Sequence, residues 1–269
     1  MNDSIKRVCL DGILARDLPY NWIIEGWLHE MDYAILAGKQ YSGKSTIAMF
    51  VALSVASGRT LSPMLEVLGG PRKVLYIDEE MRIDDAERRL QRMMKAHAVT
   101  EEELAGHFEY WVGNGTTIKR LETRSDDLKD AVNEYKPDLV VLDSLSAVAE
   151  GNLNDAEVAG KIGRLIRRFQ IPGPTDEPTY KAGILAVHHM RKHPAGDTNP
   201  TNTVDDVAGS YKLTSDPDTV WQAGWEGEQV GRLTPKKVRA LPRRVNNKGV
   251  SYLIDKDTNR LMFEEVKDV

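Results

Sequence analysis

Eight consecutive residues, Gly38-Lys39-Gln40-Tyr41-Ser42-Gly43-Lys44-Ser45, fit the pattern G-x-x-x-x-G-K-[S/T]. Each residue type in it suits the holding of a phosphate chain. Gly38 and Gly43 let the backbone turn its N–H groups inward, and a helix that starts here adds partial positive charge. Lys44 supplies a point charge for the β- and γ-phosphates, and the Ser45 hydroxyl suits a Mg²⁺ ion. Lys39, Gln40, Tyr41 and Ser42 fill the variable positions and Thr46 follows, so all of Gly38 to Thr46 are expected to line the nucleotide. Lys39 taken alone reads as a solvated loop cation. The chemistry implied is the binding of ATP or GTP with Mg²⁺.

Acidic and imidazole groups stand at the ends of later apolar runs. Val74-Leu75-Tyr76-Ile77 ends in Asp78-Glu79-Glu80, where Glu79 or Glu80 would orient the attacking water. Leu139-Val140-Val141-Leu142 ends in Asp143, which reads as a Walker B acid holding Mg²⁺ through oxygen and water. Gly183 to Val187 ends in His188-His189. An imidazole there would hydrogen-bond the γ-phosphate and sense its loss. A metal role for the histidines is disfavoured, since no cysteine or third histidine stands at ligand spacing.

These groups need a scaffold that brings strand ends together. Tyr33 to Ala37 reads as a strand entering the phosphate loop, and Thr46 to Ala56 as a helix leaving it and closing at Gly58. Further strands are expected at 74–77, 108–112, 139–143, 183–187 and 220–225. Helices are expected at 83–95, with Arg88, Arg89 and Arg92 exposed, at 128–135 and at 152–169. Continuous apolar strands between helices imply an α/β fold with a mostly parallel sheet whose carboxyl ends carry the ligand. After Met190 the chain turns polar to about Val207, a long loop opened by basic Arg191, Lys192 and His193 that suits a nucleic-acid backbone. Lys236 to Arg244 reads as a basic strand, and Val250 to Phe263 as a hairpin turning at Asp255 to Asn259. Lys236, Lys237, Arg239, Arg243, Arg244 and Lys248 occur with no acid among them. They would shield an exposed strand edge, contact nucleic-acid phosphates, or reach a neighbouring subunit's nucleotide. Residues 1–30 read as an apolar lead-in packed on the core, with Tyr20 or Trp22 as an alternative platform for the nucleotide base. Residues 31–269 form the single domain.

Composition narrows the setting. A chain of 269 residues with 41% hydrophobic content can bury a sizeable core, and the net charge of −5 argues against indiscriminate binding of nucleic acid by the whole surface. A lone Cys9 excludes an internal disulfide. The sequence shows neither a signal-peptide pattern nor an apolar run long enough to span a bilayer. A soluble cytoplasmic protein without membrane contact is expected.

The ordered set resembles the RecA-like P-loop ATPases, and within them the RepA-like hexameric replicative helicases of plasmids and phages and the RecA/RadA-like recombinases. The resemblance runs through Gly38 to Thr46, Leu75 to Glu80, Asp143-Ser144, Val187-His188-His189, Ala208-Gly209-Ser210 and Lys237-Val238-Arg239. It implies a RecA-like core with C-terminal antiparallel strands and an ATP-hydrolysing enzyme, a DNA helicase or recombinase. By resemblance Glu80 is the catalytic carboxylate and His189 the γ-phosphate sensor, with His188 as fallback. Arg191 to Asp206 would be the DNA-contacting loop, and Lys237 and Arg239 the pair inserted into the adjacent subunit's site, working with Lys44. The partners implied are single-stranded DNA, further copies of the chain in a hexameric ring or filament, and other replication or recombination proteins. A primase or loader is expected to be separate, as a DnaB-type N-terminal domain is lacking. One departure is Ala208, where the plasmid helicases carry an arginine.

Overall fold

Strands read from the sequence as continuous apolar runs are buried on both faces, and that decides the architecture. The computed structural model describes residues 10–16, 21–113, 134–148, 151–168, 182–190, 207, 211–226, 230–238, 249–255 and 257–265. Among these, a nine-stranded sheet forms the centre. Its strands in chain order are β3 (Tyr33–Gly38), β4 (Val74–Asp78), β5 (Phe108–Val112), β6 (Leu139–Asp143), β7 (Gly183–His189), β8 (Thr219–Trp225), β9 (Val230–Val238), β10 (Val250–Ile254) and β11 (Leu261–Glu265). A small antiparallel hairpin of β1 (Trp22–Ile24) and β2 (Leu28–His29) precedes them.

The sheet order is β11-β10-β9-β8-β3-β7-β6-β4-β5. From β8 to β5 all neighbours are parallel, whereas β8 to β11 pair antiparallel. Alternation along each parallel strand feeds two cores. On β3, Ala34 and Leu36 join one and Tyr33, Ile35 and Ala37 the other; on β6, Leu139 and Val141 oppose Val140 and Leu142. Each buried Leu, Ile or Val among them contributes about 1.5–3 kcal/mol by burial.

Helices cover both faces. Helix α1 (Lys44–Ser57) is apolar on all sides because it is enclosed, with Phe50 packed against Phe263 of β11 at 5.4 Å and against His97 at 4.9 Å. Its buried Ser54 and Ser57 hydroxyls donate to the carbonyls of Phe50 and Leu53 at 2.8 and 2.7 Å, so neither is left unsatisfied. Gly58 ends the helix in the left-handed region, φ 67°. Helix α2 (Ile83–His97) buries Ala86 and Met93 and opens with Asp84 and Asp85 in its first turn, where acids favour a helix start. The short α3 (Glu101–Leu104) is closed by a capping box between Thr100 and Glu103. On the other face lie α4 (Leu145–Val148) and α5 (Ala156–Arg168), the latter through Ala159, Ile162 and Ile166. The four-residue α6 (Lys212–Ser215) precedes β8.

Three expectations change. Helix α5 begins at Ala156 rather than 152, since the Asn152 side chain accepts from the Asn154 N–H in the turn before it and the Asp155 carboxylate accepts from the Glu157 N–H in its first turn. The basic strand starts earlier, as β9 from Val230. Arg89, expected on the solvent face of α2, turns inward with a side chain only 13% exposed. The β1–β2 hairpin packs on the core through Ile23, Ile24 and Leu28, and Trp27 stacks on Trp221 with ring centroids 3.9 Å apart. Trp22 lies edge-on to His29, and Ile23 and His29 sit against Gly183, at the amino end of β7. That is the opposite end from His189, so Trp22 is not a platform for a nucleotide base. The helix expected at 128–135 falls mostly outside the described residues. So do the loop from Arg191 to Asp206, Ala208 to Ser210, Tyr20, and the basic residues from Arg239 to Lys248.

Candidate functional site

Parallel pairing brings the chemistry to one edge of the sheet. Gly38 at the end of β3 is in register with His189 of β7, and Asp78 of β4 with Asp143 of β6. The residues singled out by type therefore share the carboxyl end of the parallel strands, where open α/β sheets bind ligands.

The loop from Gly38 to Ser45 turns directly into α1. Gly43 occupies the left-handed region at φ 79°, and no side chain caps the helix there. The first-turn amides are thus left to an anion. Lys44 is 6% exposed and donates from Nζ to the Lys39 carbonyl at 2.7 Å, which folds its ammonium over the loop. Burial pulls the Lys44 pKa down while Asp143 and Glu80 pull it up, and the net shift is downward. A phosphate chain would add counter-charge to this buried cation beside Asp143 and Glu80. Lys39, Gln40 and Tyr41 are exposed and Ser42 is buried.

The last strands brace this loop from behind. Tyr252 of β10, fully buried, donates its hydroxyl to the Ser42 carbonyl at 2.6 Å, and Trp225 of β8 donates Nε1 to the Tyr41 carbonyl at 2.7 Å. Ile254 sits so near Gly43 that a Cβ there would lie 2.4 Å from its Cδ1. The Tyr252 ring in turn lies where a Cβ on Gly231 would be, 2.1 Å from Cζ. Sequence reading found the hairpin but not this contact, which joins strands far from the loop in the chain.

The metal-binding expectation rests on Ser45 and Asp143. Ser45 Oγ donates to Asp143 Oδ1 at 3.1 Å, placing a hydroxyl and a carboxylate side by side at the foot of the loop. Oxygen donors of this kind fit Mg²⁺. Among the described residues no group of three His, Cys, Asp or Glu side chains is placed to hold a metal ion by itself. The fit is therefore to a Mg²⁺ carried by Ser45, Asp143, water and the nucleotide's own phosphates. When bound it would draw charge from the phosphoryl oxygens. Asp143 is 3% exposed; burial raises its carboxyl pKa and Asp78 adds to this, against Arg89, Tyr76 and Ser45.

Glu79 and Glu80 part company after β4. Glu79 is 4% exposed and packs against Gly113. Glu80 has a side chain 49% exposed, accepts a short hydrogen bond from Ser144 Oγ, and lies with Oε1 3.8 Å from His189 Nε2. The latter is an ion-pair distance rather than a hydrogen bond. His189 holds the Glu80 carboxyl below its usual range and Ser144 and Lys44 add to that, with partial burial opposing. A low pKa keeps Glu80 ionised, ready to orient water by accepting its hydrogen. His188 is 2% exposed. The geometry gathers Glu80, His189, Lys44, Ser45 and Asp143 together, and leaves Glu79 and His188 as buried neighbours.

Ser144, which the sequence singles out only beside Asp143 in the shared motif, holds the Glu80 carboxylate and shares a 2.9 Å hydrogen bond with Ser146. Lys237 lies on β9 with Nζ donating to the carbonyls of Thr214 and Ser215 at 2.8 and 2.7 Å, the end of α6 in its own chain. Arg239 lies outside the described residues.

Known proteins give the geometry a setting. No curated protein matches the sequence. A KaiC-like protein from the hyperthermophilic archaeon Pyrococcus horikoshii OT3 has a similar structure, with a TM-score of 0.55 over 90% of this chain and 93% of that one. At 16% identity this likeness establishes the fold alone. The AAA_25 family model, described as an AAA domain, matches residues 4–195, more than half of the chain. No described helix is long and apolar enough to cross a membrane. The phosphate loop, the strand-end acids and the family match together show that the chain belongs to the AAA_25 family of AAA domains, as a RecA-like P-loop ATPase.

Proposed function

We propose that this chain is a Mg²⁺-dependent, single-stranded-DNA-stimulated ATPase of DNA replication or recombination, a RepA-like replicative helicase acting in the cytoplasm as a ring or filament. The observation that carries the hydrolytic part is the grouping of Glu80, Ser144 and His189 beside Lys44 at the mouth of the phosphate loop. Lys44 and the loop amides bind the phosphates, and Ser45 and Asp143 hold Mg²⁺. Glu80 orients the attacking water, and His189 reads the γ-phosphate. The DNA part is supported by the basic residues from Lys236 to Lys248 and by the motif order shared with plasmid helicases. A recombination or strand-annealing ATPase shares every one of these parts and differs in what hydrolysis releases.

A second reading is an ATP-dependent switch that acts on a protein partner without DNA. It is favoured by Lys237, whose ammonium is engaged by its own chain at α6. A trans-acting role for Lys237 requires that contact to open, and Ala208 stands in the sequence where the plasmid helicases carry an arginine.

Steady-state ATPase rates with and without single-stranded DNA across a salt series separate the readings. Stimulation that fades as salt rises supports the DNA motor, since phosphate contacts release counterions. Equal rates at every salt concentration discard it in favour of the switch. Unwinding of a forked duplex, set against annealing or strand exchange, then separates helicase from recombinase.

A further inference from the structure

Behind the nucleotide side of the site lies a buried cation that sequence reading placed in solvent. Asp78 and Asp143 are register partners at the ends of adjacent strands, 1% and 3% exposed. Each divides its two oxygens in the same way. Asp143 turns Oδ1 to Ser45 at 3.1 Å, and Asp78 turns Oδ1 to the backbone N–H groups of Glu80 and Met81, both at 2.9 Å. Both Oδ2 atoms point away. Asp143 Oδ2 accepts from the Tyr76 hydroxyl at 2.7 Å and Asp78 Oδ2 from the Tyr110 hydroxyl at 3.0 Å. Arg89 Nη1 lies between them, 3.7 Å from each Oδ2.

Two buried carboxylates side by side at neighbouring strand ends repel, and a cation between their Oδ2 atoms offsets that repulsion. A planar guanidinium on the far side of both does more than neutralise. Its Nη1 stands at ion-pair distance from both Oδ2 atoms and hydrogen-bonds Met81 Sδ at 3.4 Å, tying the two carboxylates to the turn after β4, and groups behind a metal-holding residue commonly control its affinity.

We propose that Arg89 is a positioning residue for Mg²⁺. With Tyr76 and Tyr110 it clamps the Oδ2 atoms of Asp143 and Asp78, so that Asp143 presents Oδ1 beside Ser45 and Asp78 holds the backbone that carries Glu80. The inference rests on the reading of Asp143 as a metal-holding residue. It makes a prediction of sign. A cation serving only as counter-charge repels Mg²⁺, and its removal would tighten Mg²⁺ binding. A cation that orients Asp143 does the reverse, and its removal weakens binding.

The test is the affinity of a fluorescent ATP analogue across a Mg²⁺ series for the wild type, Arg89→Met, Arg89→Lys and Tyr76→Phe, with thermal unfolding of each. The Mg²⁺ concentration giving half of the full gain in affinity is expected to rise about tenfold or more in Arg89→Met and Tyr76→Phe. Affinity without Mg²⁺ stays at the wild-type level, and Arg89→Lys recovers part of the loss. A fall in the Mg²⁺ requirement of Arg89→Met overturns the proposal in favour of bare counter-charge. An unchanged requirement alongside a lowered melting temperature also overturns it, leaving Arg89 a tie between α2 and the sheet. Should Arg89→Met not fold, Tyr76→Phe decides alone, because it removes one hydroxyl and no charge. A wild type whose nucleotide affinity ignores Mg²⁺ sinks the metal reading of Asp143 itself, and is recognised by failing before any variant is compared.

Discussion

The two sides of the sheet treat the phosphate loop differently. On one side β7, β6 and β4 are parallel, buried on both faces, and bring His189, Asp143 and Asp78 to the loop by their ends. On the other side β9 and β10 are antiparallel and only partly buried, with patterns in which intermediate residues predominate. That side, together with β8, touches the loop through backbone carbonyls and a glycine. The contrast separates reaction from support. Strands locked on both faces hold the groups proposed to act on the nucleotide, and the looser strands hold the loop from behind.

Glu80→Gln should break the reactive side without disturbing the support. Turnover is expected to fall by about 10²–10⁴ while nucleotide binding persists, since the amide keeps the shape and loses the basic oxygen. Rapid-quench turnover beside equilibrium binding of a nucleotide analogue checks this; wild-type turnover in the variant would move the role to Glu79. Gly43→Ala strikes where the two sides meet. It forces a side chain into the left-handed region, costing about 1–2 kcal/mol, and drives a Cβ into Ile254. Denaturant unfolding should show Ile254→Ala relieving the clash but not the backbone cost. Restoration of full stability in the double variant would mean that the φ constraint contributes nothing.

How much of this was legible in the sequence follows the same division. Gly38 to Ser45, Asp143 and His189 stood out because continuous apolar strands announce their own ends. Arg89 was misread, although the signal was present. It falls three residues after Ala86 and four before Met93, the two residues that α2 buries, so its spacing already placed it on the inner face. Charge was allowed to outrank periodicity. The contacts of Tyr252 and Trp225 with the loop could not be read at all, because they depend on sheet order and not on local pattern.

Smaller effects should sharpen the supporting side. Tyr252→Phe strands the Ser42 carbonyl without its donor and is expected to cost about 1–2 kcal/mol, measured by thermal unfolding. Nucleotide affinity should drop with it if the strut sets the loop, and stay unchanged if the strut serves stability alone. His97 offers the mildest probe. Its Nε2 accepts from the Leu261 N–H of β11, and burial with the nearby Arg260 charge pushes its pKa down to about 4. An unfolded histidine titrates near 6.5, so the folded state binds this proton less readily. The stabilisation is full above 6.5 and is lost as pH falls from 6.5 toward 4. After solvent screening at this half-buried ring it amounts to about 1 kcal/mol. Comparing wild type with His97→Gln between pH 7 and 4 should show a steeper loss of stability in the wild type, the excess slope belonging to His97.

The strut from Tyr252 to Ser42 joins residues 210 positions apart. During synthesis the phosphate loop therefore leaves the ribosome long before its brace exists. At 5–20 residues per second the interval is about 10–40 s. For that time the nascent chain carries an unsupported nucleotide-binding loop and a largely apolar α1 still lacking its Phe263 cover. Assembly of this site is thus a late, long-range event, and the interval is when the chain is most exposed to chaperones and to its own neighbours.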